Sequence, residues 1–331
     1  MIFHPLIIAL LGASLLVCFL VLYAAAFGSQ ILRRWDLKSG SELQLALERK
    51  TYLISTLLSY LFALELLSLF LFIFTADRIH PFFIGAMCAA GSLDVNGFGT
   101  ATLLVKIASF LLAGLWLILN AVDNRGIDYP LIRTKYAFLL GIAPLVLAET
   151  VFQALYFLRL KPDITTSCCS TLFDSSGGTI ASSLAALPAQ PMKVVFFVSL
   201  ILTAAAGILF LIKRRGAGLF AVLSGSHLVV SVLSILSFIS VYFYELPTHH
   251  CPFCILQKGY GYIGYPIYIA VLGAGLCGLA VGILAPFRKV PSLSEVVPAA
   301  QRKLALTALI GLVVFAVIVV HRMIVSNLIL R

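Results

Sequence analysis

With 331 residues, 61% hydrophobic and only 11% charged, the chain has too little polar surface to cover a soluble globule. Its formal net charge of +10 does not mark a nucleic-acid binder, because the basic residues sit in short loops on alternate sides of long apolar runs. A soluble enzyme and a nucleic-acid-binding module are therefore excluded. Backbone groups in lipid must be satisfied within the segment, so the prediction is an all-α polytopic helical bundle in contact with membrane lipid.

Runs long enough to cross ~30 Å of hydrocarbon as a helix occur near 5–32, 52–75, 100–122, 136–158, 192–212, 218–244, 263–286 and 304–327, which makes eight spans. Most Lys and Arg residues, among them Arg33, Arg34, Arg125, Lys135, Lys213, Arg214 and Arg302, fall in the loops 33–51, 123–135, 213–217 and 287–303. By the positive-inside rule these loops face the cytoplasm and both termini face out. That arrangement predicts a multi-pass protein of a bacterial cytoplasmic (inner) membrane. The first run is too long for a signal-peptide core and has no basic residue before it, so it is expected to be an uncleaved helix.

After the first span, 36–50 alternates charged and apolar residues, and Ser41-Glu42-Leu43-Gln44 fits a capping box. A short amphipathic helix on the cytoplasmic interface is expected there. Glu65, Lys106, Glu149, Gln153 and His227 lie inside spans. Ionisable groups at such depth mark either function or a structural pair, such as Glu65 with Lys106.

Five of the seven cysteines, Cys88, Cys168, Cys169, Cys251 and Cys254, fall in outward loops, where disulfides persist. Cys18 and Cys277 lie mid-span and read as packing residues. Met87-Cys88 begins a tight loop rich in glycine, and Cys168-Cys169 sits in the longest outward loop, 159–191. Adjacent cysteines rarely bond to each other, so each is open to a partner elsewhere. His249-His250-Cys251-Pro252-Phe253-Cys254 places two thiols in a Cys-X-X-Cys spacing just outside the seventh span. Such a pair closes a short disulfide or shares a soft metal, and both uses need the thiolate. Lys258 and the N-terminus of the next helix are expected to stabilise it. Within that span, Gly278 and Gly282 form a Gly-X-X-X-Gly step for close helix approach.

Cys251-Pro-Phe-Cys254, Gln257-Lys258 and Tyr265-Pro266 resemble the signature of the quinone-linked disulfide-bond-forming membrane protein B family, with Lys258 where that family has arginine. The order of elements resembles the vitamin K epoxide reductase family, whose four-helix core has loop cysteines after its first helix and a Cys-X-X-Cys opening its last. Spans four to seven reproduce that order. Cys169-Ser170-Thr171-Leu172-Phe173-Asp174-Ser175-Ser176-Gly177 also resembles a string of its bacterial members, although here the loop cysteines are adjacent.

The resemblance implies three segments: an accessory region 1–135, a thiol-redox core 136–290, and a cytoplasmic loop with the last helix, 291–331. It implies catalytic cysteines at Cys168, Cys169, Cys251 and Cys254; the outward placement of Cys88 adds it to the site, to resolve a mixed disulfide or hand over electrons from an outside substrate. A quinone would lie near Gln257 and Lys258, and a periplasmic thiol protein would be the partner. Two rival readings stay open. His249, His250, Cys251, Cys254, Met87 and Cys88 could hold copper, mercury or zinc, with Glu65, Glu149 and His227 lining a path. Alternatively, the chain is a structural subunit of a respiratory complex with static disulfides.

Overall fold

The computed structural model describes residues 3–36, 39–126, 128–161, 165–166, 187–328 and 330. Its elements are α1 (Pro5–Arg34), α2 (Glu42–Ile79), α3 (Ala89–Asp94), α4 (Gly97–Asp123), α5 (Ile132–Leu158), α6 (Ala189–Lys213), α7 (Ala217–Ser234), α8 (Ser240–Tyr244), α9 (Gly264–Ile283) and α10 (Val296–Val325). A π-turn, Ile235–Ile239, joins α7 to α8. Among the described residues, eight helical stretches are long and apolar enough to cross a membrane, so the chain is an all-α polytopic bundle.

The expected interfacial helix at 36–50 is not separate. Residues 42–50 form the first turns of α2, because neither Gly nor Pro interrupts the sequence between Glu42 and Ile79. Ser41 still caps this helix, its hydroxyl accepting from the Gln44 N–H at 3.3 Å. The Gln44 side chain does not reach back to Ser41 but accepts from the Asp36 N–H at 3.1 Å.

The chain divides into two compact units, the first comprising Met1–Thr75, Leu93–Pro162 and Phe287–Val297. Its core includes Phe27, Phe62, Trp116 and Tyr136, with Phe62 edge-on to Trp116 at 5.1 Å. Lys135 is a correction to the charge pattern, since it is fully buried rather than a loop cation. It pairs with Asp123 at 2.7 Å and donates to Asn120 Oδ1 at 3.0 Å. Asp123 also accepts from the Leu131 N–H at 2.7 Å, which closes the turn between α4 and α5. Burying one charge here requires the other.

The second unit comprises Ala76–Ser92, Asp163–Pro286 and Pro298–Arg331. Phe196 packs edge-on against Phe238 and Phe315. The Gly-X-X-X-Gly step acts as expected: a Cβ on Gly278 would overlap Ser224 of α7, and one on Gly282 would overlap Ala221.

The grouping of spans differs from the expected core 136–290. The fourth span, α5, belongs to the first unit, tied to α1 by Gln153 donating to Leu10 O and Ser14 Oγ at 3.1 and 2.9 Å. The last span, α10, joins the second unit through Phe315 and through Gln301, which donates to Val281 O at 2.5 Å. Polar residues within apolar spans decide the partners, because a buried amide needs a specific acceptor.

Candidate thiol site

α8 ends at Glu245, whose left-handed backbone (φ 56°) turns the chain out of the helix. The Cys-Pro-Phe-Cys segment that follows is clamped by two tyrosines. The Tyr244 hydroxyl donates to Cys251 O at 2.5 Å and accepts from the Ile255 N–H at 3.0 Å, so one group fixes the backbone next to both cysteines. From α9, the Tyr268 hydroxyl donates to Pro252 O at 2.8 Å. Gly264 lets α9 start against this segment, since a Cβ there would lie 3.0 Å from Ile255 C.

Short 3₁₀ turns at Cys254–Leu256 and Lys258–Tyr260 separate the Cys-X-X-Cys from the next helix, and α9 begins only at Gly264. The expected helix dipole at Cys254 is therefore lacking, because the macrodipole falls off within a turn of the helix end. The segment 251–264 is short and irregular, as its Pro and Gly content predicts.

Cys88 arrives from the turn between α2 and α3. Gly91 allows that turn, since a Cβ there would lie 2.8 Å from Ala86 Cα. Gly85 adopts φ +90°, and Ile84 O accepts from the Thr166 N–H at 2.9 Å in an isolated parallel bridge. Gln257 locks this turn to the Cys-X-X-Cys segment, its amide donating to Asp77 Oδ1 at 3.0 Å and to Met87 O at 2.9 Å.

These contacts bring three thiols together. Cys88 Sγ lies 3.5 Å from Cys251 Sγ, and the sulfurs of Cys88, Cys251 and Cys254 all lie within 4.8 Å of one another. All three are buried, Cys88 and Cys251 completely. His249 Nε2 stands 3.4 Å from Cys254 Sγ, its ring edge-on to Tyr244 at 4.5 Å.

The other sequence candidates are placed differently. His250 Nδ1 pairs with Leu236 O at 2.9 Å, in the π-turn, and so tethers the loop. The Met87 side chain is exposed, and its carbonyl is the part that is used. Lys258 is exposed. Cys168 and Cys169 lie outside the described residues, two and three positions after the Thr166 that binds Ile84. His227 is held by Ser199 Oγ at 2.8 Å and Ser231 Oγ at 3.3 Å, a satisfied buried imidazole. Cys18 packs in the first unit's core and Cys277 against a cluster in the second, as expected.

Sequence reasoning missed Tyr244, Tyr268 and Asp77. The density of tyrosines flanking the motif was the available signal, at 242, 244, 260, 262, 265 and 268. Chemically, the cluster can exchange a disulfide among three sulfurs, or offer three soft sulfur ligands with one imidazole nearby. Comparisons of the chain with protein-family models, curated proteins and solved structures return no match.

Proposed function

We propose that this chain is an integral-membrane thiol–disulfide oxidoreductase that exchanges disulfides with a thiol protein outside the cytoplasm and passes the electron pair to a membrane quinone. The observation that carries the proposal is the 3.5 Å approach of Cys88 Sγ to Cys251 Sγ, which sets a third thiol against the Cys-X-X-Cys pair. With Cys251 and Cys254 joined as a disulfide, the Cys88 thiolate attacks the Cys251 sulfur. A Cys88–Cys251 bond forms, the Cys251–Cys254 bond breaks, and Cys254 leaves as thiolate beside His249 Nε2. Over a full cycle a substrate dithiol becomes a disulfide and yields two electrons and two protons. The alternation of basic loops supports placing the thiols on the outer side of a bacterial inner membrane.

A quinone is the acceptor that the family resemblance implies. The Gln257 Nε2 is committed to Asp77 and Met87, so it does not supply the ring contact implied for that residue. The thiols alone therefore support the exchange chemistry. The test is quinone-dependent oxidation of a dithiol by purified protein: Cys251→Ser is expected to abolish it, and full activity in that variant would overturn the proposal.

One observation favours a second reading. The three clustered sulfurs, with His249 Nε2 3.4 Å from Cys254 Sγ, offer soft ligands suited to copper, mercury or zinc. Co-purifying metal lost from a His249→Ala variant would support this reading, and metal-free, redox-active protein would exclude it.

A further inference from the structure

The first unit buries a second constellation that the thiol chemistry does not use. Lys106 of α4 reaches Glu149 of α5, with Nζ 2.6 Å from Oε1, and donates to Ser68 Oγ of α2 at 3.0 Å. Glu65 of α2 faces the same ammonium, its Oε1 3.9 Å away, and accepts from Ser68 Oγ at 3.2 Å. All three charged side chains are at most 3% exposed. Lys106 and Glu149 each lie nine residues inside their helix ends at Gly97 and Leu158, which a rise of about 1.5 Å per residue puts ~14 Å deep. That is close to the centre of a ~30 Å hydrocarbon layer.

Charge counting separates this cluster from the other buried pair of the unit. Asp123 and Lys135 match one carboxylate to one ammonium. Here two carboxylates share one ammonium, which leaves an uncompensated negative charge where isolated charges are least tolerated. An independent observation points to what resolves the imbalance: Glu149 Oε2 is buried without a hydrogen-bond partner. Both carboxyls converge on the one Lys106 ammonium, and two carboxyls can share a hydrogen bond only if one of them carries a proton. Among the described residues, no other charged side chain pairs with Lys106, Glu65 or Glu149. α5 contributes Gln153, which is held by Ser14 of α1, and one turn further along α1 lies the buried thiol Cys18.

We infer that Glu65 and Glu149, organised by Lys106, form an intramembrane proton-binding site that holds one exchangeable proton between the two carboxyls. Lys106 fixes Glu149 Oε1 and leaves Oε2 open to the shared proton. Uptake of the proton brings the cluster to neutrality. The site contains no cysteine, so it stands apart from the thiol proposal.

The test is infrared spectroscopy of the full-length protein in lipid nanodiscs at neutral pH. A protonated-carboxyl carbonyl band is expected, shifting in D₂O and shifting again when the glutamates carry ¹³C. Among the described residues, Glu65 and Glu149 are the only buried glutamates, so the label assigns the band in the unmutated protein. The band should be lost in Glu65→Gln or Glu149→Gln and should persist in Cys251→Ser and in the exposed-site control Glu42→Gln. Absence of a ¹³C-glutamate-sensitive band from the folded wild type, or its survival in both glutamine variants, would overturn the inference.

Discussion

Replacing Tyr244 by Phe should unclamp the thiol site while keeping the ring. The hydroxyl that is lost donates to Cys251 O at 2.5 Å and accepts from the Ile255 N–H at 3.0 Å, and both of those residues are fully buried. The substitution strands one acceptor and one donor, each at a desolvation cost of about 1–3 kcal/mol. Partial relaxation leaves roughly 2–4 kcal/mol as the drop in free energy needed to open the 251–255 loop. At a factor of ten per about 1.4 kcal/mol, alkylation of Cys251 and Cys254 through local opening should accelerate roughly thirty- to seven-hundredfold. The assay is time-resolved labelling with a small maleimide, read by mass spectrometry, with Tyr52→Phe as the exposed control. Helix packing elsewhere should be unaffected, so labelling of Cys18 should not change. Unaltered labelling of Cys251 and Cys254 in Tyr244→Phe would refute the idea that this hydroxyl fixes the loop.

Three further outcomes follow from particular contacts. In a Cys254→Ser background, mild oxidation should link Cys88 to Cys251 within one chain, and peptide mapping should find the link depleted when Gln257→Leu removes the bonds to Asp77 and Met87 O. Lys135→Met leaves the buried Asp123 carboxylate uncompensated and should destabilise the protein by about 3–5 kcal/mol; adding Asp123→Asn should restore most of the loss in thermal melts. Gly278→Ala drives a methyl group into Ser224 across the α7–α9 contact and should cost about 1–3 kcal/mol in the same melts, whereas Gly273→Ala meets open space and should not.

The spans were legible because length and apolar content decide membrane crossing almost alone, and α1 to α10 contain all eight runs. Gly278 and Gly282 were legible for a similar reason, since small residues spaced four apart leave few uses in an apolar helix. Less legible was which spans pack together. Gln153 and Gln301 choose their partners through single hydrogen bonds that periodicity does not encode. Lys135 misled because a lysine near a span end normally reaches water, and its partners Asp123 and Asn120, twelve and fifteen positions earlier, keep it buried.

At the site, the union of Cys88 with Cys251 spans 163 positions, and it depends on Gln257 bridging to Asp77 and Met87. The motif resemblance pointed to Gln257 as a cofactor contact, and its Nε2 also braces the site through Asp77 and Met87 O. His249 and His250 are adjacent and equivalent in sequence, yet the backbone turn aims one at sulfur and the other at the π-turn carbonyl. Tyr244 and Tyr268 act through hydroxyl groups on backbone carbonyls, a role that leaves no spacing signature.

The most direct test of the thiol-exchange proposal is alkylation mapping of the cysteines in native membranes after mild reduction, with and without added quinone. Exchange predicts that quinone reoxidises Cys251 and Cys254, and that a fraction of the protein carries a Cys88–Cys251 link. Cysteines that stay reduced with quinone present, and become alkylated only after a chelator is added, would contradict it and establish a metal site in its place.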